Sequence, residues 1–296
     1  MEKLVVVGWG RMGLTHTSII NGLYPERFAT TIVERDKKVA LLTRASLGYQ
    51  VTNDLSKVSL IDSIVLITTP PFVHSDLASI ALANGAKSVF IEKPFGLHDM
   101  RVKDDPRISV GYVLRFTEVA HKLKHIIKHQ GCTSIKLNYA SYTLTKPPKG
   151  WRNSSYGGVL NEMGSHLIDL LLYILNASDF EIQECLIKSS VSDVDDIVFV
   201  KGLVNSVVFE LNLNWVNESY RKPVWSGEIE TKQGNLRFDQ QSIDTGFIPN
   251  AIDYYVRGRE FSMQMKHLIE SDRSIMCSSH QANIVHDVIT KIKSKA

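Results

Sequence analysis

Leu4-Val5-Val6-Val7-Gly8-Trp9-Gly10-Arg11-Met12-Gly13 reads as an apolar strand that breaks on a glycine and restarts as a helix. The glycines stand in a G-x-G-x-x-G order whose spacing has a physical meaning. The first permits the tight turn, the second lets backbone approach a pyrophosphate, and the third lets helix and strand pack closely. Free N–H groups and the dipole at the helix start then favour an anion. Gly8, Trp9, Gly10, Arg11, Met12 and Gly13 are therefore candidate contacts to a dinucleotide. Such a site also calls for an acid about 20 residues further on, closing the next strand, to take the ribose hydroxyls. Glu34 follows Thr31-Ile32-Val33 and meets that requirement, which favours NAD(H). Its neighbour Arg35 could receive the extra phosphate of NADP(H), so that cofactor stays open.

Outward from this turn, short apolar runs alternate with helical patterns over the first hundred residues. Leu4–Val7, Thr31–Val33, Ser63–Thr68 and Ser88–Ile91 are β-rich, while Met12–Leu23, Lys37–Ala45 and His74–Asn84 carry apolar residues at helical spacing. The alternation predicts βαβ units and a parallel sheet covered on both faces, and the nearly unbroken apolar character of the strands agrees. After residue 115 the pattern changes. A helix over Glu118–His129 gives way to β-rich stretches at Ser134–Tyr142, Ile197–Val204, Ser206–Trp215, Val224–Thr231 and Asn235–Asp239, with a helix near Gly158–Leu175 among them and helix again at the end. The expectation is an α/β doubly wound Rossmann domain over 1–115 and an α+β domain over 116–296, a mostly antiparallel sheet covered by helices.

Bulk properties narrow the setting. Lys and Arg outnumber Asp and Glu by only 34 to 31, dispersed along the chain, which argues against a nucleic-acid partner. No run approaches the roughly 18–20 apolar residues of a membrane span. Cys132, Cys185 and Cys277 are odd in number and far apart, neither a disulfide framework nor a metal-ligand spacing. With an N-terminus that lacks a signal-peptide core, they point to a reducing cytoplasm.

Thr68-Thr69-Pro70-Pro71 through His74, followed by Glu92-Lys93-Pro94, resembles the glucose–fructose oxidoreductase, inositol dehydrogenase and rhizopine-catabolism (Gfo/Idh/MocA) family. The resemblance continues through Gly111-Tyr112, Arg115-Phe116, Trp151-Arg152, Gly157-Gly158, Glu162-x-Gly164-x-His166-x-x-Asp169 and Val194-Asp195-Asp196, so it covers essentially the whole chain. It implies hydride transfer between a nicotinamide cofactor and a secondary alcohol or ketone carbon of a sugar, cyclitol or sugar derivative. In that family the histidine of the motif, here His166, is the usual acid/base. The residue four before it, normally Asp and here Glu162, assists catalysis or substrate binding.

The residue positions agree with the resemblance. Residues just past the carboxyl ends of parallel strands line the ligand crevice of an open α/β sheet. Thr68, Thr69 and Pro70 follow one strand, with His74 beyond, and Glu92, Lys93 and Pro94 follow another. The Lys93 ammonium could bind a substrate hydroxyl there. Glu162, His166 and Asp169 stand at i, i+4 and i+7, one face of a regular helix over Val159–Leu175, and Gly157-Gly158 and Gly164 would let that face approach the cofactor. Tyr112, Arg115, Trp151, Arg152 and Asp169 are candidates for the substrate pocket, the two arginines for gripping a carboxylate or phosphate.

His121, His125 and His129 lie opposite an apolar helix face and beside lysines, so a solvated basic face is expected and no metal. Only thirteen residues separate Pro94 from Ile108, short for a parallel crossover, which predicts a turn or loop. The expected partners are a sugar-like small molecule and further copies of the chain, as a dimer or tetramer through the C-terminal sheet. The rival reading is a dinucleotide-binding regulator or scaffold without turnover.

Overall fold

The computed structural model describes residues 1–95, 104–244, 249–251 and 258–296. β1 (Glu2–Val7), β2 (Phe28–Val33), β3 (Gln50–Thr52), β4 (Ser63–Ile67), β5 (Ser88–Ile91) and β6 (Ile108–Val110) pair in parallel. Their order, β3-β2-β1-β4-β5-β6, is that of the doubly wound dinucleotide-binding fold. Leu4–Val7 and the whole of β4 and β5 are buried, as strands covered on both faces must be. α1 (Arg11–Leu23), α2 (Lys37–Leu47) and α3 (His74–Ala83) make the connections. Asp36 caps α2 by accepting the N–H groups of Lys38 and Val39, and Gly48 ends it at a left-handed φ of 69°. β1 and β4 are neighbours where the strand order reverses. Gly8 and Thr68 therefore leave the sheet side by side, and the Thr68 N–H donates to the Val7 carbonyl at 2.9 Å.

The short segment expected between Pro94 and Ile108 lies mostly outside the described residues, since 96–103 are not among them. The chain beyond it enters β6, in parallel register with β5.

The second sheet belongs to the chain beyond residue 113. Thr117 caps α4 (Glu118–Gln130), which leads into β7 (Ser134–Ala140). A π turn at Leu160–Gly164 opens directly into α5 (Ser165–Leu175). β8 (Glu181–Lys188), β9 (Ile197–Val204), β10 (Val207–Asn214), β11 (Val224–Thr231), β12 (Gly234–Asp239), β13 (Ser242–Asp244) and β14 (Pro249–Ala251) come after it. The sheet order is β14-β13-β12-β11-β7-β10-β9-β8, antiparallel throughout except where β7 and β10 run parallel. One face carries the buried Ile135, Leu137, Phe209, Leu211 and Ile229. Across the opposite face the register lines up Glu184, Lys201, Glu210, Lys136, Glu228 and Arg237 on six adjacent strands.

The chain then runs through α6 (Arg259–Ile269), β15 (Cys277–Ser278) and α7 (Ser279–Lys295), with β15 pairing antiparallel to β6. Contacts divide the chain into two compact units, Met1–Tyr112 with Glu260–Asn283, and Val113–Arg259 with Ile284–Ala296. A single boundary after residue 115 does not contain this return, because β15 extends the first sheet from more than 150 residues away in sequence. Among the described residues no helix is long and apolar enough to cross a membrane.

Candidate functional site

The glycine turn divides its three glycines by what surrounds them. Gly8 has a φ of 92°, and a Cβ there would lie 3.0 Å from the Thr68 carbonyl. A Cβ on Gly13 would lie 2.3 Å from the Gly8 oxygen, so the third glycine is what lets α1 pack on the strand turn. Gly10 differs. Its φ of −79° suits any residue, and a Cβ there would meet no atom beyond its own chain neighbours within 4 Å. Gly10 is also the N-cap of α1 and brings no capping side chain, so the first N–H groups of that helix are left for something else. The cradle fits the pyrophosphate of a dinucleotide.

Glu34 closes β2 and lies across this turn. Its Oε2 accepts the Trp9 N–H at 2.8 Å, and its Oε1 accepts the Asp36 N–H at 2.8 Å. Trp9 meets Tyr49 edge-on, Arg11 and Arg35 are exposed, and Met12 is half-buried.

After β4, the Thr68 hydroxyl donates to the Gly8 carbonyl at 2.6 Å and ties the two crevice turns together. Pro70 leads into α3, whose first residue, His74, is buried and bonds through Nε2 to the Thr69 carbonyl at 2.8 Å. Burial holds the His74 imidazole below its ordinary pKa, opposed by the carbonyls of Thr69 and Pro94 and by the charge of Glu92. Glu92 continues β5, donating its N–H to the Ile67 carbonyl. Its carboxylate is buried between His16 Nε2 at 2.5 Å and the Lys93 N–H at 3.1 Å. Lys93 itself is half-buried. Tyr112, which the sequence offered as a pocket residue, lies just past β6 and is 1% exposed.

His16 carries no motif that marks it in the sequence. It shares the inward face of α1 with Gly13, Thr17 and Ile20. The one signal for it was its place three residues after Gly13, on a face that had to pack.

In the second unit, Val159–Leu175 is not one regular helix. Glu162 belongs to the π turn, whereas His166 and Asp169 belong to α5, so the even spacing of the three on one helical face is interrupted. π turns of this kind recur at functional sites. The glycines beside it face protein, which corrects their reading as an approach to cofactor. A Cβ on Gly157 would lie 1.9 Å from the Arg152 carbonyl oxygen, one on Gly158 2.1 Å from Asp195 Oδ1, and one on Gly164 2.8 Å from Leu213. Asp195 is the reason for the close approach, since its Oδ2 accepts the Leu160 N–H at 2.7 Å and anchors the start of the turn. Burial pushes the Asp195 carboxyl up, opposed by that hydrogen bond and by Lys293. Asp196 instead accepts from Ser190 and Val191.

Glu162 Oε2 takes the Arg152 Nε at 3.2 Å, and the Arg152 guanidinium stacks 4.4 Å from the Trp151 ring. His166 is 7% exposed. Arg115 and Asp169 depart from their reading as pocket residues. Arg115 grips both oxygens of Asp169 at 2.7–3.1 Å, and both side chains are buried. Tyr173, one turn on from Asp169, lies 5.1 Å from that guanidinium and 3.8 Å under Lys124. His121, His125 and His129 are exposed along α4. Among the described residues no group of three His, Cys, Asp or Glu side chains is placed to hold a metal.

Known proteins share this architecture. Residues 3–104 match the model of the GFO_IDH_MocA oxidoreductase family, NAD-binding Rossmann fold. An uncharacterised protein of Schizosaccharomyces pombe is 35% identical over 98 residues, which is 29% of this chain and 24% of that protein, so the match spans about a quarter of the relative's length. Over 99% of this chain, a solved levoglucosan dehydrogenase has the same fold at a TM-score of 0.80 and 18% identity, covering 97% of that chain. UDP-N-acetylglucosamine 3-dehydrogenase from Acidithiobacillus ferrooxidans does so at a TM-score of 0.77 and 17% identity, over 99% of this chain and 96% of that one. Over residues 3–104 the chain is similar to the Gfo/Idh/MocA oxidoreductase family, and over nearly its whole length it shares the fold of these dehydrogenases.

Proposed function

We propose that the chain is a nicotinamide-dependent dehydrogenase or reductase acting on a secondary alcohol or ketone of a sugar, cyclitol or sugar derivative. One observation carries this reading: the fold needs glycine at Gly8 and Gly13 but not at Gly10. Bare backbone at an uncapped helix start serves a ligand, and the dinucleotide pyrophosphate is the ligand whose charge and shape suit it. Glu34 favours NAD(H), because a carboxylate pinned beside the turn repels a 2′-phosphate. Arg35 is the residue that would reverse the preference.

The bound nicotinamide supplies the hydride acceptor or donor, and the protein's share is orientation and polarisation. Lys93 donates a hydrogen bond to the reacting oxygen and stabilises alkoxide character. His166 takes the hydroxyl proton in oxidation and returns it in reduction. Glu162 holds Arg152 over the Trp151 ring, a posture suited to an anionic substituent on the substrate. Arg115 and Asp169 brace α5 and do not touch substrate. The three cysteines are free thiols, that of Cys132 pushed up to about 11 by burial, which suits a reducing cytoplasm. The outer face of the eight-stranded sheet meets a second copy of the chain, in a dimer or as half of a tetramer.

A panel of sugars and nucleotide sugars, headed by levoglucosan and UDP-N-acetylglucosamine, tests the activity through the absorbance of reduced nicotinamide with both cofactors. Lys93→Ala and His166→Ala should each lower turnover about a hundred- to ten-thousandfold while NADH affinity stays within a few-fold. Near-normal turnover in either variant removes that residue from its role. Tight NADH binding with no substrate across the panel favours a regulator instead.

A further inference from the structure

We propose that His16 is a positioning residue for Lys93: by holding the Glu92 carboxylate it fixes the backbone of the Glu92-Lys93 turn and couples it to α1, the phosphate-binding helix. This rests on the assignment of Lys93 as the oxygen-polarising group.

The Glu92 carboxylate is enclosed, and each of its oxygens has a task. Oε1 meets His16 Nε2 at 2.5 Å, and Oε2 accepts the backbone N–H of Lys93 at 3.1 Å. In the proposal both carboxylate oxygens accept, so Nε2 is the atom that carries the proton. A side chain on Gly111 would come within 3.3 Å of Oε2 and 3.1 Å of the Phe90 ring, which closes a further side. His16 is fully buried, edge-on to Phe90 at 5.3 Å and tilted against Phe261 at 6.0 Å, so its ring has little freedom. The chain of contacts therefore runs from α1 through an immobile imidazole and a buried carboxylate to the amide of Lys93.

A purely structural role explains this arrangement poorly. Burying an acid with its partner costs desolvation, and apolar residues of the same volume hold a core at least as well. What such a pair adds is direction, because hydrogen bonds to both oxygens fix the carboxylate, and the carboxylate fixes the next peptide. Lys93 is the next residue. α1 is also the helix whose N-terminus faces the pyrophosphate in the proposed function, so one side chain would register the oxygen-polarising group against the cofactor's anchor.

The test uses the whole protein and has arms that need no substrate. In the wild-type chain, nitrogen NMR of His16 should report a slowly exchanging proton on Nε2, and a proton on Nδ1 alone would overturn the proposal. His16→Phe keeps the ring packing and removes the donor. The Lys93 amide should then exchange with solvent at least about tenfold faster, while amides of β1 and β4 keep their protection. On the sugar of the panel that turns over fastest, kcat should fall about ten- to hundredfold, with KM and NADH affinity held within about threefold. His16→Gln, whose amide can donate to the same oxygen, should recover most of the loss. In a Lys93→Ala background His16→Phe should add nothing further, the non-additivity of residues acting as a unit. Unchanged Lys93 exchange in His16→Phe, or equal losses for Phe and Gln, would overturn the proposal. Full turnover in Lys93→Ala would remove that residue's catalytic assignment instead, and the amide exchange would still decide whether His16 fixes the turn.

Discussion

Three glycines in one turn carry three different constraints, and substitution separates them. Gly13→Ala drives a methyl group against the Gly8 carbonyl and should destabilise the protein by about 2 kcal/mol or more. The Cβ of Gly10→Val enters open space, so its unfolding midpoint should stay near that of the wild type, while NADH affinity drops on the order of a hundredfold. Thermal melts and fluorescence titration of both variants check the pair, and a folded Gly10→Val protein with undiminished NADH affinity would remove the site. His74 gives a prediction in pH. Burial lowers its folded pKa below the ordinary 6.5, so the unfolded chain takes up a proton that the native protein refuses. Its contribution to stability is complete above about pH 6.5 and is lost as the pH falls from there toward the depressed value, at a limiting slope of about 1.4 kcal/mol per pH unit. His74→Gln, which keeps a donor for the Thr69 carbonyl, should flatten that slope in urea melts at pH 7.5 and 5.5. Identical slopes in the two proteins would show that another group titrates. Gly8 and Gly13 were legible in the sequence because backbone geometry dictates their type, and Glu34 because it stands where a ribose site calls for an acid. The partners of Glu92 and Asp169 were not, because His16 lies 76 positions from one and Arg115 lies 54 from the other.

The π turn at Leu160–Gly164 is the element that separates what periodicity reveals from what packing decides. Apolar spacing marks Val159–Leu175 as helical but carries no sign of one wider turn at its start. That turn is set by Asp195, which reaches from another part of the chain to cap Leu160, and by Gly158, whose φ of 95° no other residue adopts cheaply. Gly158→Ala combines backbone strain with a methyl group 2.1 Å from Asp195 Oδ1, so it should cost about 2–3 kcal/mol. The same displacement moves Glu162, so turnover should fall beyond what the lost stability explains. A Gly158→Ala protein with the wild-type melting temperature would show that the turn tolerates another path. β8 escaped the sequence reading for a related reason. Its Glu181-Ile182-Gln183-Glu184 start contains a register shift between Ile182 and Glu184, which breaks the two-residue alternation that announces a half-buried strand. The long strands β7, β9, β10 and β11 keep that alternation and were read within a few residues of their bounds.

At the scale of the molecule, the outer face of the eight-stranded sheet carries a pattern invisible in the linear sequence. Only the strand register aligns Glu184, Lys201, Glu210, Lys136, Glu228 and Arg237 into one row of alternating sign. Neighbours in the row attract within one chain, as between Lys136 and Glu210 at 3.7 Å and between Glu228 and Arg237 at 3.0 Å. The row is also complementary to itself in one orientation. When two copies stack face to face about a two-fold axis parallel to the strands, Glu184 meets Arg237, Lys201 meets Glu228, and Glu210 meets Lys136. An axis along the row sets every charge against its own copy, so the ladder selects between the two arrangements and contributes direction more than affinity. The 33.3 kDa chain should therefore run as a dimer or larger species in light scattering. Lys136→Glu combined with Lys201→Glu places like charges opposite each other at both contacts and should weaken association about tenfold or more, with a thermal melt confirming that each chain still folds. Adding Glu210→Lys and Glu228→Lys restores opposite signs at those contacts and should restore the assembly. A chain that is monomeric at every concentration, or a double reversal that leaves the assembled mass unchanged, would show that this face has no such partner.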